Sequence, residues 1–189
     1  MSGWGRFLLA TMCGLMLAGI VHIAAVLSVP WLSEQDAFSR LRGTLAADRS
    51  EIIAAPGKET WLPHPDPAAA LAACAYNLDE GPLRVSARTS PMFESLSFHA
   101  RGGGIFYAVT DRAALRGVLD LVVMTRSQLD EAQANEDEDE PSHDVRIVAP
   151  RREGLAIVRA VAPFPSQREQ AETAAKSVSC VTEPVSGRR

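Results

Sequence analysis

Residues 7–29 read FLLATMCGLMLAGIVHIAAVLSV, 23 residues without a single Asp, Glu, Lys or Arg. Roughly 20 apolar residues in a helix suffice to cross the hydrocarbon core of a bilayer. Trp4 and Trp31 stand at the two ends, where tryptophan favours the membrane interface, and Pro30 is predicted to end the helix. The sequence therefore predicts a transmembrane helix over residues 7–29, after a short tail of residues 1–6.

A cleaved signal peptide is the alternative interpretation of this stretch. The apolar run is about twice as long as the core of a usual signal peptide, and no small-x-small cleavage site precedes Pro30. We therefore expect an anchor that stays attached to the chain. Basic residues hardly orient it, because Arg6 on one side is matched by Arg40 and Arg42 on the other.

Two cysteines, Cys74 and Cys180, lie in the soluble part, since Cys13 falls within the apolar stretch. A disulfide between them would close a long loop and stabilise the fold by about 4 to 5 kcal/mol in the chain-entropy model. Two buried free thiols are the alternative. A disulfide persists in oxidising compartments, so the pair favours a soluble domain outside the cytoplasm.

Residues 33–183 are predicted to form one soluble α+β domain, an antiparallel sheet of about five strands flanked by helices, followed by a tail of residues 184–189. Glycines 102–104 predict a hairpin between two of the strands, and the last two strand patterns predict a second hairpin. The strand patterns lie at residues 83–87, 96–100, 105–109, 118–124, 145–149 and 155–161.

Three helices are predicted around this sheet from caps and apolar spacing. They are a helix capped by Ser33 with apolar positions Phe38, Leu41 and Leu45; a short helix from Asp66-Pro67 through Leu71 to Cys74; and a helix that starts at a capping box of Ser166 and Glu169 and buries Ala171, Ala174, Ala175 and Val178.

Charge is segregated along the chain, whose 19 Lys+Arg and 23 Asp+Glu give a net charge of -4. Residues 127–144 contain eight carboxylates and no Lys or Arg, so the rest of the chain has 19 minus 15, or +4. Like charges at this density predict a solvated, mobile acidic loop. The acidic balance also argues against nucleic acid as a partner, since phosphate recognition needs a basic face.

Few residues of the sequence suggest a catalytic, cofactor-binding or metal-binding role. His22 is the single ionisable group of the apolar stretch, and an intramembrane histidine needs a polar partner. Ser97, His99 and Asp111 are the residue types of a hydrolase triad, but no sharp turn presents the serine, so solvent-facing strand residues are expected. We predict no catalytic residue, no cofactor-binding residue and no metal site.

Several motifs together resemble the domain-of-unknown-function 1254 family of bacterial membrane proteins. The resemblance implies a single-pass inner-membrane protein with a small domain and carries over no catalytic residues. The motifs are Ile20-Val21-His22-Ile23 before Pro30, Asp66-Pro67, Cys74-Ala75-Tyr76-Asn77-Leu78, Gly81-Pro82, Phe106-Tyr107 and Thr110-Asp111-Arg112.

The function expected from the sequence is that of a non-catalytic periplasmic domain held at the bacterial inner membrane. Its partners would be the lipid bilayer and either another envelope protein or further copies of the chain. The alternative is a small membrane-tethered enzyme or ligand-binding domain that uses a cleft near Tyr107 and His99.

Overall fold

The structure of this chain is a computed structural model that describes residues 3–32, 37–43, 49–54, 65–135 and 144–183. Within these residues a long apolar helix precedes two β-sheets and three shorter helices, so the predicted α+β class is confirmed. The helices are α1 (Gly3–Leu32), α2 (Ala37–Arg42), α3 (Arg126–Ala134) and α4 (Arg168–Lys176). The strands are β1 (Glu51–Ala54), β2 (Ala69–Asn77), β3 (Leu83–Arg88), β4 (Glu94–Ala100), β5 (Ile105–Thr110), β6 (Val118–Met124), β7 (Val145–Val148), β8 (Glu153–Val161) and β9 (Ser179–Thr182).

Helix α1 extends beyond the predicted span at both ends. It begins at Gly3, inside the predicted tail, and the residues Gly3–Val29 are long and apolar enough to cross a membrane. The prediction that Pro30 ends the helix is wrong, because the helix continues to Leu32. Proline has a helical φ and its missing N–H removes one hydrogen bond, so the last turn can still form around it.

A five-stranded antiparallel sheet has the order β1-β2-β8-β4-β5. The hairpin predicted around the glycines is confirmed, since β4 pairs with β5 and Phe98 stands opposite Tyr107. The helix predicted from Asp66-Pro67 to Cys74 is wrong, because these residues lead into strand β2, which pairs along its whole length with β8. Its alanine-rich sequence suits a strand that is covered on both faces, where larger side chains would keep α2 and α4 away.

A second sheet of four strands has the order β7-β6-β3-β9, in which β6 and β7 run parallel. The hairpin predicted for residues 145–161 is therefore wrong, because β7 joins this sheet and β8 joins the other. Ile147 and Val158 are both buried in the same core, reached from opposite sheets. The short connection between β7 and β8 thus crosses from one sheet to the other instead of turning back.

The main core lies between the two sheets, with α4 packed against β1, β2 and β8. Cys74 on β2 and Cys180 on β9 form a disulfide that joins the five-stranded to the four-stranded sheet. Helix α4 buries its alanines Ala171, Ala174 and Ala175, as expected. The predicted capping box is wrong: α4 starts after a 3-10 turn, Pro165–Gln167, and no side chain caps it.

Helix α2 packs on the outer face of the five-stranded sheet, with Phe38 and Leu41 buried against Ala73 and Leu155. Ser33 and Leu45, its predicted cap and last apolar position, lie outside the described residues, as does the predicted tail 184–189.

The acidic segment begins with a helix, so the prediction of a loop over 127–144 is wrong in its first half. Thr125 caps α3 through the Gln128 backbone N–H, at 3.2 Å, and the Gln128 side chain accepts from the Thr125 N–H at 2.8 Å. Gln128 Nε2 also donates to the Leu78 carbonyl, 2.9 Å away, and so ties the helix to the domain. The acidic residues 136–143 lie outside the described part of the chain.

Candidate functional site

A groove of about 580 Å³ lies where β6 and β7 begin, and we call it the β6–β7 groove. Its apolar lining comes from the β5–β6 connection and the first residues of the two strands, and its charged lining comes mainly from β3 and β6. The lining residues are Arg84, Ala113, Leu115, Arg116, Val118, Leu119, Asp120, Asp144 and Val145.

The apolar wall of the groove is open to solvent. Leu115 is 65% exposed, Val118 39% and Val145 40%. A two-residue turn holds Leu115 in place: Arg116 and Gly117 have φ values of 53° and 80°, and the Leu115 N–H donates to the Val118 carbonyl at 2.9 Å. Exposed apolar side chains gathered at one place mark a surface that suits a partner.

An ion cluster centred on Arg84 forms the charged side of the groove. Ser86 on β3 pairs with Asp120 on β6, so Arg84 is the diagonal neighbour of Asp120 on the same face. An Arg84 guanidinium nitrogen lies 2.7 Å from Asp120 Oδ2 and another lies 3.8 Å from Asp144 Oδ2, while Nε donates to Glu183. The hydrogen bond to Glu183, with the charges of Glu183, Asp120 and Asp144, raises the pKa of Arg84. The guanidinium is thus a permanent cation that positions carboxylates and cannot act as an acid or base.

Two carboxylate oxygens in this cluster are buried without a hydrogen bond, namely Oδ1 of Asp120 and Oδ1 of Asp144. The Asp144 side chain is only 10% exposed, and its Oδ1 is 3.7 Å from Arg146 Nε, beyond hydrogen-bond distance. Both oxygens are thus enclosed by the surrounding residues, and neither is accessible from the groove.

Tyr107 and His99, proposed from the sequence to share a cleft, lie on opposite faces of the five-stranded sheet. The Tyr107 ring packs on the core side, 6.2 Å from the Phe98 ring. His99 follows Phe98 in the strand and lines a smaller groove of about 270 Å³ beneath α2, together with Phe38 and Leu41. The structure does not bring the two side chains together.

The triad types Ser97, His99 and Asp111 are only partly assembled. Ser97 Oγ lies 3.1 Å from His99 Nε2, and burial lowers the pKa of His99. Asp111 follows Thr110, which pairs with Ser95, so it stands near Glu94, roughly 17 Å along the strand from His99. No third group orients the imidazole among the residues described, and the pair is part of a strand surface.

Glu94 is a buried acid that sequence reasoning missed. Its side chain is 2% exposed, and Ser90 Oγ donates to its Oε1 at 2.6 Å. Burial raises the pKa of Glu94 and the nearby charge of Asp111 adds to the effect, while the Ser90 hydrogen bond opposes it. The signal was present: counting back by two from Phe98 and Leu96 places Glu94 on the core face of β4.

The remaining sequence candidates do not enter the groove. His22 is exposed on α1, and Cys74 and Cys180 are joined in the core. Among the residues that the structure describes, no three His, Cys, Asp or Glu side chains lie close enough together to hold a metal ion. The residues of the groove were missed because Arg84 reads as the polar side of a half-buried strand and Asp120 as a single interruption of an apolar strand.

No protein-family model and no curated protein sequence matches this chain. Its fold resembles the crystal structure of the VPA0106 protein from Vibrio parahaemolyticus, at 10% identity and a TM-score of 0.51, over 81% of this chain and 38% of that one. A crystal structure of an uncharacterized protein from Burkholderia cenocepacia aligns at 16% identity and a TM-score of 0.43, over 78% of this chain and 37% of the other. The chain thus spans less than two fifths of each neighbour, and the first likeness bears on the fold alone.

Proposed function

We propose that this chain is a single-pass protein of the bacterial inner membrane whose α+β domain lies in the periplasm and acts by binding another envelope protein, without catalysis. The observation that carries the proposal is the open apolar wall of the β6–β7 groove, formed by Leu115, Val118 and Val145. Large apolar side chains exposed beside a paired ion cluster are typical of binding surfaces, which combine an apolar centre with a polar rim.

Two observations support the membrane and the compartment. Helix α1 is apolar on all sides, and no residue of its apolar window is buried within the part of the chain that the structure describes, as expected of a helix solvated by lipid. The Cys74–Cys180 disulfide joins the two sheets, and such bonds persist in the bacterial periplasm but are rare in the cytosol.

Membership of the domain-of-unknown-function 1254 family is part of the same proposal. It rests on motifs that the structure places in very different settings: Cys74 and Tyr76 are buried on β2, whereas Asp111 and Arg112 form the 3-10 turn after β5. An envelope protein is the partner we favour. Self-association through the same groove is the competing possibility.

The membrane part of the proposal is tested by a fusion of alkaline phosphatase after residue 189, together with fractionation of the cells. We expect an active fusion that stays in the membrane fraction after alkaline carbonate extraction. An inactive fusion would contradict the periplasmic side. Recovery of the mature chain in the soluble fraction, with its N-terminus after Ser28, would contradict the anchor.

The binding part is tested by a photo-crosslinking amino acid placed at Leu115 of the full chain in intact membranes. Ile105, which is 60% exposed at an edge strand outside the groove, is the matched control position. We expect a discrete cross-linked species from position 115 that is absent from position 105. Equal patterns at the two positions would contradict the groove as the binding surface, and a species of twice the chain's mass would identify self-association.

A further inference from the structure

We propose that two copies of this chain associate through strand β5, so that their five-stranded sheets join edge to edge in one continuous antiparallel sheet. The inference goes beyond the proposed function, from which it takes only the membrane anchor. A strand added to the same edge by another envelope protein is the alternative, and it is an outcome of the test below.

The first argument is the open edge of β5. Within the described residues β5 pairs with β4 alone, so no strand adjoins its other edge. Its sequence, Ile-Phe-Tyr-Ala-Val-Thr, favours a strand and contains no charged residue and no proline. A bulge at Phe106 leaves residues 107–110 as the regular part of this edge. The outward N–H and C=O groups of such an edge are a template for a further strand.

The other three edge strands of the described sheets are better protected. β1 contains Glu51 and a bulge, β7 contains Arg146, and each has only four residues. β9 also has four residues, and an antiparallel bridge between Arg49 and Ser179 already occupies its open side. Short strands, charged side chains and covering residues are the usual means of protecting a sheet edge. β5 is the longest of the four, and it has neither a charge nor a bridge.

The second argument is the incomplete burial of the core at β5. The side chains of Phe106, Tyr107 and Val109 pack against the main core but are only partly buried. A strand laid beside β5 would cover part of the apolar surface that remains exposed, which is favourable. The edge therefore offers both backbone hydrogen bonds and apolar contacts to a second strand.

The third argument is symmetry, which favours a second copy as the occupant. Two identical strands paired antiparallel in one sheet are related by a two-fold axis perpendicular to that sheet. Both copies of α2, which packs on the outer face, then lie on the same side. Four residues separate Leu32, the end of α1, from Ala37, the start of α2, so the chain keeps these two within about 18 Å. Both α1 helices can thus enter one membrane from the same side, and the shared membrane concentrates the copies.

The alternation of side chains limits the register of the pairing. Paired residues face the same side of a sheet, so the two-fold axis passes beside one residue and its copy. With the axis at Ala108, Tyr107 pairs with Val109 of the partner subunit, and the pairs over residues 106–110 all stay within β5. With the axis at Val109, Tyr107 would stand opposite Asp111, which belongs to the following 3-10 turn. We therefore place the axis at Ala108, whose side chain is exposed.

The first experiment uses the full chain in intact membranes, with Cys13→Ser to remove the free cysteine. Ala108→Cys is added, the membranes are oxidised with copper phenanthroline, and the products are separated by non-reducing electrophoresis. We expect a disulfide-linked dimer as the main product, because side chains directly opposite one another have Cβ atoms about 4.5 to 5.5 Å apart. Val148→Cys, on the edge strand β7 and 38% exposed, is the matched control and should stay monomeric.

A second variant tests the same edge without a cross-link. Ala108→Lys replaces an exposed side chain and places two ammonium groups opposite each other at the axis. We expect it to weaken dimerisation at least about tenfold in detergent micelles, as measured by sedimentation equilibrium, because like charges directly opposite are unfavourable. Val148→Lys is the matched control and should dimerise like the parent.

Three results would overturn the inference. They are equal dimer yields from Ala108→Cys and Val148→Cys, a disulfide adduct from position 108 whose mass is not twice that of the chain, and unchanged dimerisation of Ala108→Lys. The second of these would mean that another protein occupies the edge.

The dimer and the groove are tested independently. Position 105, the control of the groove experiment, lies at the start of β5, so a cross-link of twice the chain's mass from this position fits both proposals. If position 115 gives no species of its own while Ala108→Cys gives the dimer, the groove is wrong as a binding surface and the dimer stands. If the reverse is found, the dimer is wrong and the proposed function stands.

Discussion

The two sheets differ in what lies on their outer faces. On the five-stranded sheet, α2 buries Phe38 and Leu41 against Ala73 and Leu155, and the charged groups there, such as Arg101, lie around the edge of the contact. On the four-stranded sheet, an ion cluster and exposed apolar side chains lie together in one groove, at the edge where β6 and β7 begin.

Among the residues that the structure describes, helix α2 thus covers one outer face, while part of the other outer face stays open. Residues on the covered face are buried, so substitutions there are expected to lower the free energy of unfolding. An open groove with exposed side chains adds little to the stability of the domain, so changes there act on binding. The two faces therefore respond to mutation in opposite ways, which the following changes test.

Removing the disulfide is expected to have the largest effect, because Cys74 and Cys180 connect the sheets across a sequence separation of 106 residues. For a loop of this length, Cys74→Ser should lower the free energy of unfolding by about 4 to 5 kcal/mol, since the unfolded chain gains entropy. Urea unfolding of the full chain in detergent measures the loss. Cys13→Ser, on the exposed surface of α1, is the control and should leave the midpoint unchanged. Unfolding at the same urea concentration in both variants would show that the sheets hold together without the bond.

Phe38→Ala tests the covered face. The Phe38 ring is 4% exposed, and its replacement should destabilise the domain by about 3 kcal/mol through lost burial and a cavity. The guanidinium of Arg101, 5.3 Å from the centre of the ring, would lose a cation–π contact as well. Urea unfolding gives the magnitude, and hydrogen exchange of β2 amides shows whether the loss is local. A change below about 0.5 kcal/mol would mean that α2 is not part of the stable fold.

Glu94→Gln tests whether the buried Glu94 carboxyl makes the stability of the domain depend on pH. Burial raises the folded-state pKa of Glu94 above its usual 4.5, so the folded protein holds this proton more tightly than the unfolded chain does. Proton binding at Glu94 therefore stabilises the folded state. This contribution to the free energy of unfolding is fully present below pH 4.5 and is lost as the pH rises through the folded-state pKa of Glu94. The glutamine still accepts the hydrogen bond from Ser90. We expect the parent to lose stability relative to the variant as the pH rises above 4.5, as measured by urea midpoints; parallel pH profiles would contradict this.

Leu115→Ala is expected to have the smallest effect on stability and a clear one on binding. Leu115 is 65% exposed, so the free energy of unfolding should change by less than about 0.5 kcal/mol. The same substitution should reduce several-fold the yield of the cross-link formed from a photo-crosslinking amino acid at Val118, because it removes much of the apolar wall beside that position. Ile105→Ala, on the exposed edge strand β5, is the matched control for both measurements. A large loss of stability would show that the Leu115 side chain is packed within the folded domain and does not form a binding surface.

Periodicity in the sequence was a good guide to single elements. The apolar helix, the strands around Val85 and Phe98, the glycine hairpin and the alanine face of α4 all follow from local composition and spacing. The failures share a cause. β2 is rich in alanine, which favours helix, yet it is a strand because it pairs with two neighbouring strands and packs against two helices. The hairpin expected from β7 and β8 fails because each strand finds its partners in a different sheet.

The candidate site was beyond prediction for the same reason. Arg84, Asp120 and Asp144 are ordinary polar residues at separate places in the chain, and β3 and β6 bring the first two together only through their pairing. The sequence alone was sufficient for the apolar helix, the α+β class and the strands β3 to β8, because those depend on residues within a few positions of one another. The order of strands, the two sheets and the groove arise from contacts between distant residues, so they are visible only in the folded chain.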